Sequence, residues 1–507
     1  MARPSLAKDS EIFIPGNAFK RLPAMATTIG SRLVKSHPNP KLRHALTGLL
    51  PGASKFGVIE TRLTMNRITT SVPIAAAIAL SISSLATTAR AADLGGNCCA
   101  DLEERIAELE ASTARKGNRK VSLSVSGHVN KAILFWDDGS ENNAYVVGNA
   151  TDPSHFVFAG EATFAPGWKA GYTMDIWVGD NLTDGVDQTT DDGAPGFTIW
   201  ESNWFVASEK YGKLTVGLAP RASDGVPEVD LSETSDAGYA GVQDVAGGFA
   251  LRRKDGALAA PLWGDVFNHF NGDTADVVRY DSPDFAGFSV AASWGEDDIW
   301  DAALFYTGES SGFKLEGAVA YTESSDENGI DGSGEVPNST VVGSVSLLHE
   351  PTGLNATIAA GRREFDANIE DTDGQFRAPA DAQFIYAKLG WITKLNGLGP
   401  TAFYGEYGHY RDLISAGLDA DGVASLSLTD PANVCVAAGD ACRVTGNEAD
   451  VWGLGVVQLV EQAEMQIYLG WRRHSADFDL VDVNGSRVSG PVIEDFDTLI
   501  AGSKISF

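Results

Sequence analysis

A match to the nucleophile motif of serine hydrolases, G-x-S-x-G, lies at residues 308–312, where the sequence reads Gly-Glu-Ser-Ser-Gly. In those enzymes the serine lies on a sharp turn between a strand and a helix, which exposes its hydroxyl for attack on a carbonyl carbon. Here strand-like alternating residues flank the motif on both sides, and no helical pattern follows it. The motif therefore falls on a tight turn and does not indicate a nucleophile.

Two histidines lie among carboxylates, His409 in YGEYGHYRD and His474 in WRRHSADFD. A histidine beside a carboxylate is the arrangement of a general base, so a hydrolase is one hypothesis for this chain. The alternative is that both side chains line a polar pore. A surface adhesin is a further alternative, but its loops should be aromatic or long and structured, whereas these loops are mostly Asp, Gly, Ser and Thr.

The four cysteines form two pairs along the chain. Cys435 and Cys442, in CVAAGDAC, are candidates for a disulfide that closes a small external loop, because an oxidising compartment permits one. A metal site there is disfavoured, since no histidine or further cysteine is near. Cys98 and Cys99 are adjacent and favour bonds between chains. We expect no metal site, no cofactor and no catalytic residue.

Charge is unevenly distributed along the 507 residues. Residues 1–91 carry twelve basic and three acidic side chains, which leaves the remainder at −39 when the whole chain is −30. Binding to phosphate groups needs a basic face. The composition therefore excludes nucleic acid as a partner.

The first 119 residues divide into three segments. Residues 65–91 combine an apolar stretch with a small-x-small cleavage site before Ala92, which predicts a secretory signal; a short membrane anchor is the alternative. Residues 1–64 are then an upstream extension from an early start codon, or else a basic presequence. Residues 92–119 contain a short coiled-coil seam that is too short to be stable alone, and its residues are Leu102, Ile106, Leu109 and Thr113.

From residue 120 to residue 507 the sequence alternates between apolar and polar residues, as strands do. In GWKAGYTMDIWVGD one parity is apolar and the other polar, with Trp177 as the exception. Charges such as Lys314 and Glu316 lie well inside strands, and aromatic residues lie near strand ends. A soluble sandwich also alternates, but charges on the polar face together with aromatic ends favour a transmembrane β-barrel with a wet interior.

Connection lengths alternate as well. Tight turns lie at 164–168, 209–213, 282–287, 310–312, 350–353 and 395–399, and long polar loops lie between them. Short turns at one end and long loops at the other are typical of outer-membrane barrels. Counting the stretches between connections predicts about sixteen antiparallel strands, which start near residues 121, 155, 168, 197, 212, 276, 287, 299, 312, 339, 353, 381, 400, 448, 463 and 494.

The chain ends within an alternating strand, LIAGSKISF, on Phe507. A closed barrel must pair its last strand with its first, because an open edge in lipid would leave backbone groups unsatisfied. The terminal aromatic residue also resembles the signal that the outer-membrane assembly machinery reads. We therefore expect Phe507 to act in barrel assembly.

Residues 92–507 resemble a general bacterial outer-membrane porin, in particular the family found in alphaproteobacteria. The most specific stretches are SNWFVASEKYGKLTVGLAP (202–220), DVVRYDSPDFAGFSVAASW (276–294) and the terminal Phe507. The resemblance implies a homotrimer in the outer membrane of a Gram-negative bacterium, in contact with lipid and lipopolysaccharide. It also implies passive diffusion of small hydrophilic solutes and ions through a water-filled channel.

The resemblance further implies that the longest insertion, residues 220–275, folds into the barrel and narrows it; a solvated external loop is the alternative. Rings of charge at such a constriction set selectivity. The predicted constriction residues on the loop are Asp224, Glu228, Asp230, Glu233, Asp236, Asp244, Arg252 and Arg253, and those on the wall are Arg279, Arg363, Lys388, Arg411 and Arg472. The acidic balance predicts a modest preference for cations.

Overall fold

A computed structural model describes residues 120–507, except 180, 192, 194, 296–297, 326–336, 367–368, 371–375, 416–441, 483–484 and 491. The predicted signal, the coiled-coil seam, Cys98, Cys99 and Cys435 lie outside the described residues. Among the described residues, no helix is long and apolar enough to cross a membrane.

The described chain forms twenty-two strands, and most of them belong to one antiparallel sheet. The strands are β1 Ser124–Asp137, β2 Asn142–Gly148, β3 His155–Ala165, β4 Trp168–Gly179, β5 Gly196–Ser208, β6 Gly212–Pro220, β7 Ala250–Arg252, β8 Leu258–Leu262, β9 Thr274–Asp281, β10 Phe288–Gly295, β11 Ile299–Ser310, β12 Phe313–Ser324, β13 Asn338–His349, β14 Leu354–Phe365, β15 Ile369–Glu370, β16 Phe376–Arg377, β17 Ala382–Thr393, β18 Thr401–Arg411, β19 Cys442–Val460, β20 Met465–Asp482, β21 Arg487–Val488 and β22 Phe496–Ser506. Three short 3-10 helices lie at Val226–Glu228, Val242–Asp244 and Gly264–Val266.

The sheet closes on itself. β22 pairs with β20 on one side and with β1 on the other. The other edge of β1 pairs with β3 along its first part and with β2 along its last part, so β2 and β3 occupy one position in the wall. Around the ring this makes sixteen wall positions, which confirms the predicted antiparallel barrel. The backbone of Phe507 exchanges two hydrogen bonds with Gly127, of 3.0 and 3.1 Å, so the last residue completes the seam.

Two strand boundaries differ from the prediction. β19 begins at Cys442 rather than near residue 448, with a β-bulge between Val444 and Gly446, so Cys442 lies in this strand and not in the loop before it. β2 lies within a segment that the sequence assigned to a long loop. Both strands extend the sheet at the end of the barrel that carries the long loops, where alternation is weaker because lipid no longer covers the outer face.

The two faces of the wall follow the alternation of the sequence. On β13, Val341, Val345 and Leu347 are exposed on the outer face, whereas Ser344 and Ser346 are buried inside. Aromatic pairs such as Trp391 and Phe403, with ring centroids 6.1 Å apart, lie on the outer face close to the tight turns. Apolar residues at mid-height and aromatic residues at the ends match a hydrocarbon band with an interface at its edge.

The tight turns join neighbouring strands at one end of the barrel. Gly353 shows why such a turn needs glycine: its φ is +71°, and an added Cβ would lie 1.8 Å from the carbonyl oxygen of Ile392. At the other end most connections are long. The longest, residues 221–273 between β6 and β9, turns into the barrel instead of away from it.

Placing a charge on the outer face at mid-height should destabilise the barrel. Ile358 is exposed there, about a third of the way along β14 from a tight turn. We expect Ile358→Lys to lower the free energy of unfolding by about 2–4 kcal/mol, because an ammonium group in hydrocarbon is poorly solvated. Urea denaturation of the barrel in lipid vesicles measures this.

The matched control is Ser310→Lys, which adds the same charge at a tight turn outside the hydrocarbon band. Equal destabilisation by both variants would contradict the assignment of the outer face of β14 to lipid.

Candidate functional site

The constriction loop, residues 221–273, packs its own apolar residues against the inner wall. Val226, Phe249, Leu251 and Val266 are fully buried. The Trp263 ring stacks on Phe496 of β22 at 5.6 Å, and Trp136 of β1 contacts Phe249 at 5.1 Å. This apolar contact explains why the middle of the insertion is less polar than an external loop, and it excludes the solvated alternative.

A wall lysine binds the centre of the loop. Lys388 on β17 is buried, and its Nζ donates hydrogen bonds to Asp230 Oδ2 at 2.5 Å, to Thr234 Oγ1 at 3.0 Å and to the carbonyl oxygen of Gly238 at 2.7 Å. Thr357 on β14 donates to the other oxygen of Asp230 at 3.0 Å. All three donors of the ammonium group are satisfied, so this buried charge holds the loop in one position.

A wall arginine binds the next part of the loop. Arg472 on β20 donates to both carboxylate oxygens of Glu406, at 2.7 and 3.2 Å, and to the carbonyl oxygen of Tyr239 at 3.0 Å. Tyr404 and Tyr410 on β18 donate to loop carbonyl oxygens at 2.7 and 3.0 Å. Glu406 compensates the arginine charge within the wall. Nη2 of Arg472 and the hydroxyl groups of Tyr404 and Tyr410 hold the loop backbone.

The start of the loop is held by two further charged groups. Arg279 on β9 donates to the carbonyl oxygens of Pro220 and Arg221 at 3.0 and 2.8 Å and pairs with Asp281 at 2.8 Å. Asp301 on β11 accepts hydrogen bonds from the backbone N–H of Ser223 at 2.9 Å. The loop therefore leaves β6 in a fixed direction, toward the interior.

Two other contacts complete the attachment. The guanidinium of Arg363 lies over the ring of Phe270, 4.8 Å from its centroid. On the far side, Lys504 of β22 pairs with Asp236 at 2.7 Å and with Asp152 at 2.8 Å. The loop is thus bound to the wall on both sides of the barrel.

The structure places eleven of the thirteen predicted constriction residues in three groups. The wall cations Arg279, Arg363, Lys388 and Arg472 point inward, but they lie behind the loop and bind it. Arg252 pairs with Asp138, just after β1, at 2.8 Å, and Arg253 pairs with Asp255 within the loop. The loop leaves a cavity open inside the barrel, which we call the open path. The loop carboxylates that line it are Asp224, Glu228, Asp230, Glu233 and Asp236.

Two predicted residues lie elsewhere. Arg411 shares the outward parity of Phe403 and Tyr407 on β18, and it pairs with Glu448 at 3.4 Å on the outer face. It does not face the loop, because alternation places every second residue of a strand outside. Asp244 is on the loop but does not line the open path; burial, and then the charge of Asp184, holds the pKa of its carboxyl well above the usual value.

The open path runs between the loop and the wall formed by β1 and β3 to β6. Its lining encloses a cavity of about 510 Å³. The wall contributes charged and aromatic side chains that the sequence did not assign to the constriction: His128, Asp152, His155, Asp175, Trp177, Trp200, Glu201 and Lys504. Strict alternation already placed Asp175 on the polar face, so parity could have indicated it.

An aromatic pair also faces this path. Trp177, the exception in the alternation of β4, points inward and stacks on Trp200 with centroids 3.8 Å apart. A β-bulge opposite Asp175 and Ile176 inserts Trp200 as an additional residue in β5. The bulge turns an otherwise outward tryptophan toward the lumen, which alternation alone does not predict.

Burial shifts the protonation of the loop carboxylates. It raises the pKa of Asp224 well above its usual value, and the neighbouring charge of Glu228 adds to this. Burial, and then the charge of Asp230, raises the pKa of Glu233 to about 7. Glu233 therefore changes its charge close to neutral pH, next to the open path.

The features that resembled an enzyme lie on three separate surfaces. Ser310 ends β11 at a tight turn, and His409 pairs with Asp450 at 3.0 Å on β18 and β19 outside the open path. His474 is buried behind the loop, where its Nδ1 lies 3.0 Å from the carbonyl oxygen of Phe496. These residues do not form a common site.

Comparisons with known proteins found a family model and similar solved structures. A family model described as Gram-negative porin matches residues 75–478. Among solved structures, the anion-selective porin from Comamonas acidovorans matches with 12% identity and a TM-score of 0.47, over 76% of this chain and 100% of that one. The outer membrane channel DcaP of Acinetobacter baumannii matches with 10% identity and a TM-score of 0.42, over 78% and 100%. A search of curated proteins found no match.

Removing the ammonium group that binds the loop should widen the path. Lys388→Met leaves Asp230 buried beside Thr357 without its cation, which costs roughly 3–5 kcal/mol locally. We expect a higher single-channel conductance and faster entry of larger sugars in liposome swelling. Adding Asp230→Asn removes the uncompensated charge and should reverse part of the change.

Lys169→Met is the control, because the exposed Lys169–Glu161 pair next to a tight turn contributes only about 0–1 kcal/mol. An unchanged conductance in Lys388→Met would show that the other contacts hold the loop without Lys388.

Proposed function

The chain belongs to the Gram-negative porin family and forms an outer-membrane channel for solute diffusion, and we propose that this channel is cation-selective and homotrimeric. The proposal rests on one observation: Arg279, Lys388 and Arg472 of the wall bind the back of the constriction loop, whereas Glu228 and Glu233 of the loop and Glu201 of the wall line the open path. Arg279, Lys388 and Arg472 are buried and paired with carboxylates, so their charge does not extend into the path. The carboxylates attract cations there.

The balance of charge along the path supports this selectivity. Besides the loop carboxylates, the wall adds Asp152, Asp175 and Glu201, against the single ammonium group of Lys504. Lys504 is itself shared between Asp152 and Asp236. Charges on distant external loops contribute little, because salt screens them beyond about 8–10 Å.

The same lining describes the solutes. A path with carboxylates on both sides and one pair of stacked tryptophans favours small hydrophilic solutes and disfavours apolar ones. The channel needs no catalytic residue, and the separation of Ser310, His409 and His474 disfavours the hydrolase alternative. No described contact favours the adhesin alternative over the channel.

A homotrimer is supported by the sequence of residues 92–119. A two-heptad seam is too short to hold chains together by itself, but three barrels around one axis would bring three such segments close. Contacts with lipopolysaccharide, and recognition of Phe507 by the barrel assembly machinery, belong to the same proposal. The position of Phe507 at the β1–β22 seam supports its role in assembly.

Reversal potential under a KCl gradient tests the selectivity. We expect K⁺ to pass faster than Cl⁻, with conductance steps in groups of three from the unheated protein in planar bilayers. The double variant Glu201→Gln, Glu233→Gln should bring the reversal potential closer to zero, since it removes one carboxylate from each side of the path. Glu309→Gln, at a tight turn, is the control.

A preference for Cl⁻ in the unaltered protein would overturn the proposed selectivity. The absence of any conductance from a folded, heat-modifiable barrel would overturn the function itself.

Selectivity should also depend on pH near neutrality. Because the pKa of Glu233 is raised to about 7, its carboxyl loses its charge as the pH falls through this value. The groups that act on it are Asp230, which raises the pKa, and Lys314, which lowers it. We expect the K⁺ preference to decrease from pH 8 to pH 6, as measured by reversal potential, and this decrease to be smaller in Glu233→Gln. An identical pH dependence in the variant would assign the titration to another group.

A further inference from the structure

A cluster of metal-ligating side chains lies on the channel wall, beside Asp236 of the constriction loop. His128 on β1, Asp152 before β3 and His155 at the start of β3 offer ligand atoms that all lie within 4.8 Å of one another. We propose that these three residues bind a divalent transition metal ion, for which Zn²⁺ is the probe. From the sequence alone we expect no metal site.

Strand pairing places the two imidazoles together. His128 and His155 are direct partners in the register of β1 and β3, and their ring centroids are 4.3 Å apart. Direct partners in an antiparallel pair point to the same face, here the lumen. Asp152 lies in the short connection between β2 and β3, and its carboxylate lies beside the two imidazoles.

The distances are close to those of a tetrahedral site. Bonds of about 2.0–2.2 Å to zinc place two ligand atoms about 3.4 Å apart. Nε2 of His128 lies 3.3 Å from Asp152 Oδ1, which matches this separation, and a bound ion would replace the 3.1 Å contact of Nε2 with the carbonyl oxygen of Asp152. The wider separations in the cluster need side-chain rotation, for which the half-buried Asp152 and His155 have room beside the cavity.

Neighbouring groups set the charge around the ligands. Lys504 donates to Asp152 Oδ2 at 2.8 Å, which leaves Oδ1 toward His128 and places a positive charge beside the site. Asp175 Oδ2 lies 3.6 Å from Nδ1 of His155, close enough to serve as a further ligand. The carboxylates of Asp152, Asp175 and Asp236 exceed the one charge of Lys504, so the site remains favourable to a dication.

The ligand types select the class of ion. Two imidazole nitrogens and a carboxylate oxygen suit Zn²⁺, Ni²⁺ or Cu²⁺, whereas Mg²⁺ and Ca²⁺ prefer oxygen alone. Because the cluster lines the open path, a bound dication adds positive charge to the path near Asp236. Zn²⁺ should therefore lower K⁺ conductance. Only this effect on conductance rests on the proposed function; binding itself does not.

Isothermal titration with Zn²⁺, and the visible absorption of Co²⁺, test binding on the full-length, untagged protein in detergent. We expect one ion per protomer, and at least a tenfold loss of affinity in the double variant His128→Gln, His155→Gln. The control is His349→Gln, which removes an imidazole near a tight turn. If the double variant does not give a heat-modifiable barrel, the single variants His128→Asn and Asp152→Asn replace it.

Lys504→Gln separates a metal site from a general structural effect. It removes the cation beside Asp152, so it should raise the affinity for Zn²⁺, whereas structural damage would lower it. Planar bilayer recordings should then show Zn²⁺ reducing K⁺ conductance in the unaltered protein and not in the double variant. No Zn²⁺ binding, or equal binding in the double variant, overturns the proposal. Binding without any change in conductance keeps the site and contradicts its place in the ion path.

Discussion

The rest of the structure depends on the need to satisfy every backbone N–H and C=O group within hydrocarbon. A sheet can do this only when it has no edge, so β22 must pair with β1. Closure in turn gives each strand an outer face in lipid and an inner face in water. The alternation of residues, the aromatic ends and the tight turns all follow from that division.

Charged side chains on the inner face have two different roles. Behind the constriction loop, charges are desolvated and have to be paired and hydrogen-bonded, as Lys388 is with Asp230 and Arg472 is with Glu406. In the open path, charges remain in contact with water and act on passing ions. A positive side chain on the wall can therefore hold the loop without attracting anions. Selectivity depends on which charges remain in the path rather than on their number in the wall.

The loop that narrows the barrel is held by polar contacts on both sides and by aromatic packing in the middle. This distribution explains how a connection of fifty-three residues, 221–273, keeps one position in a water-filled interior with little regular secondary structure. Its carboxylates are close enough to one another and buried enough that their pKa values rise, as those of Asp224 and Glu233 do. The charge of the path is consequently sensitive to pH, to bound cations and to the position of the loop.

Much of the barrel could be predicted from the sequence, because alternation and turn residues are local properties. They placed most strand starts within a few residues, and alternation puts adjacent residues such as Arg362 and Arg363 on opposite faces of the wall. Boundaries failed where strands extend beyond the lipid, as at Cys442. The roles of inward charges could not be predicted, since alternation gives a direction but not a partner.

Whether the ammonium group of Lys388 faces the open path or binds the back of the loop depends on how residues 221–273 fold across the lumen. The pairing of His128 with His155 depends on strand register, and the inward turn of Trp200 depends on a bulge. The sequence by itself determined a closed, water-filled barrel with an acidic body. Only the tertiary structure decided which charges face the solute, because that depends on contacts between residues far apart in the chain.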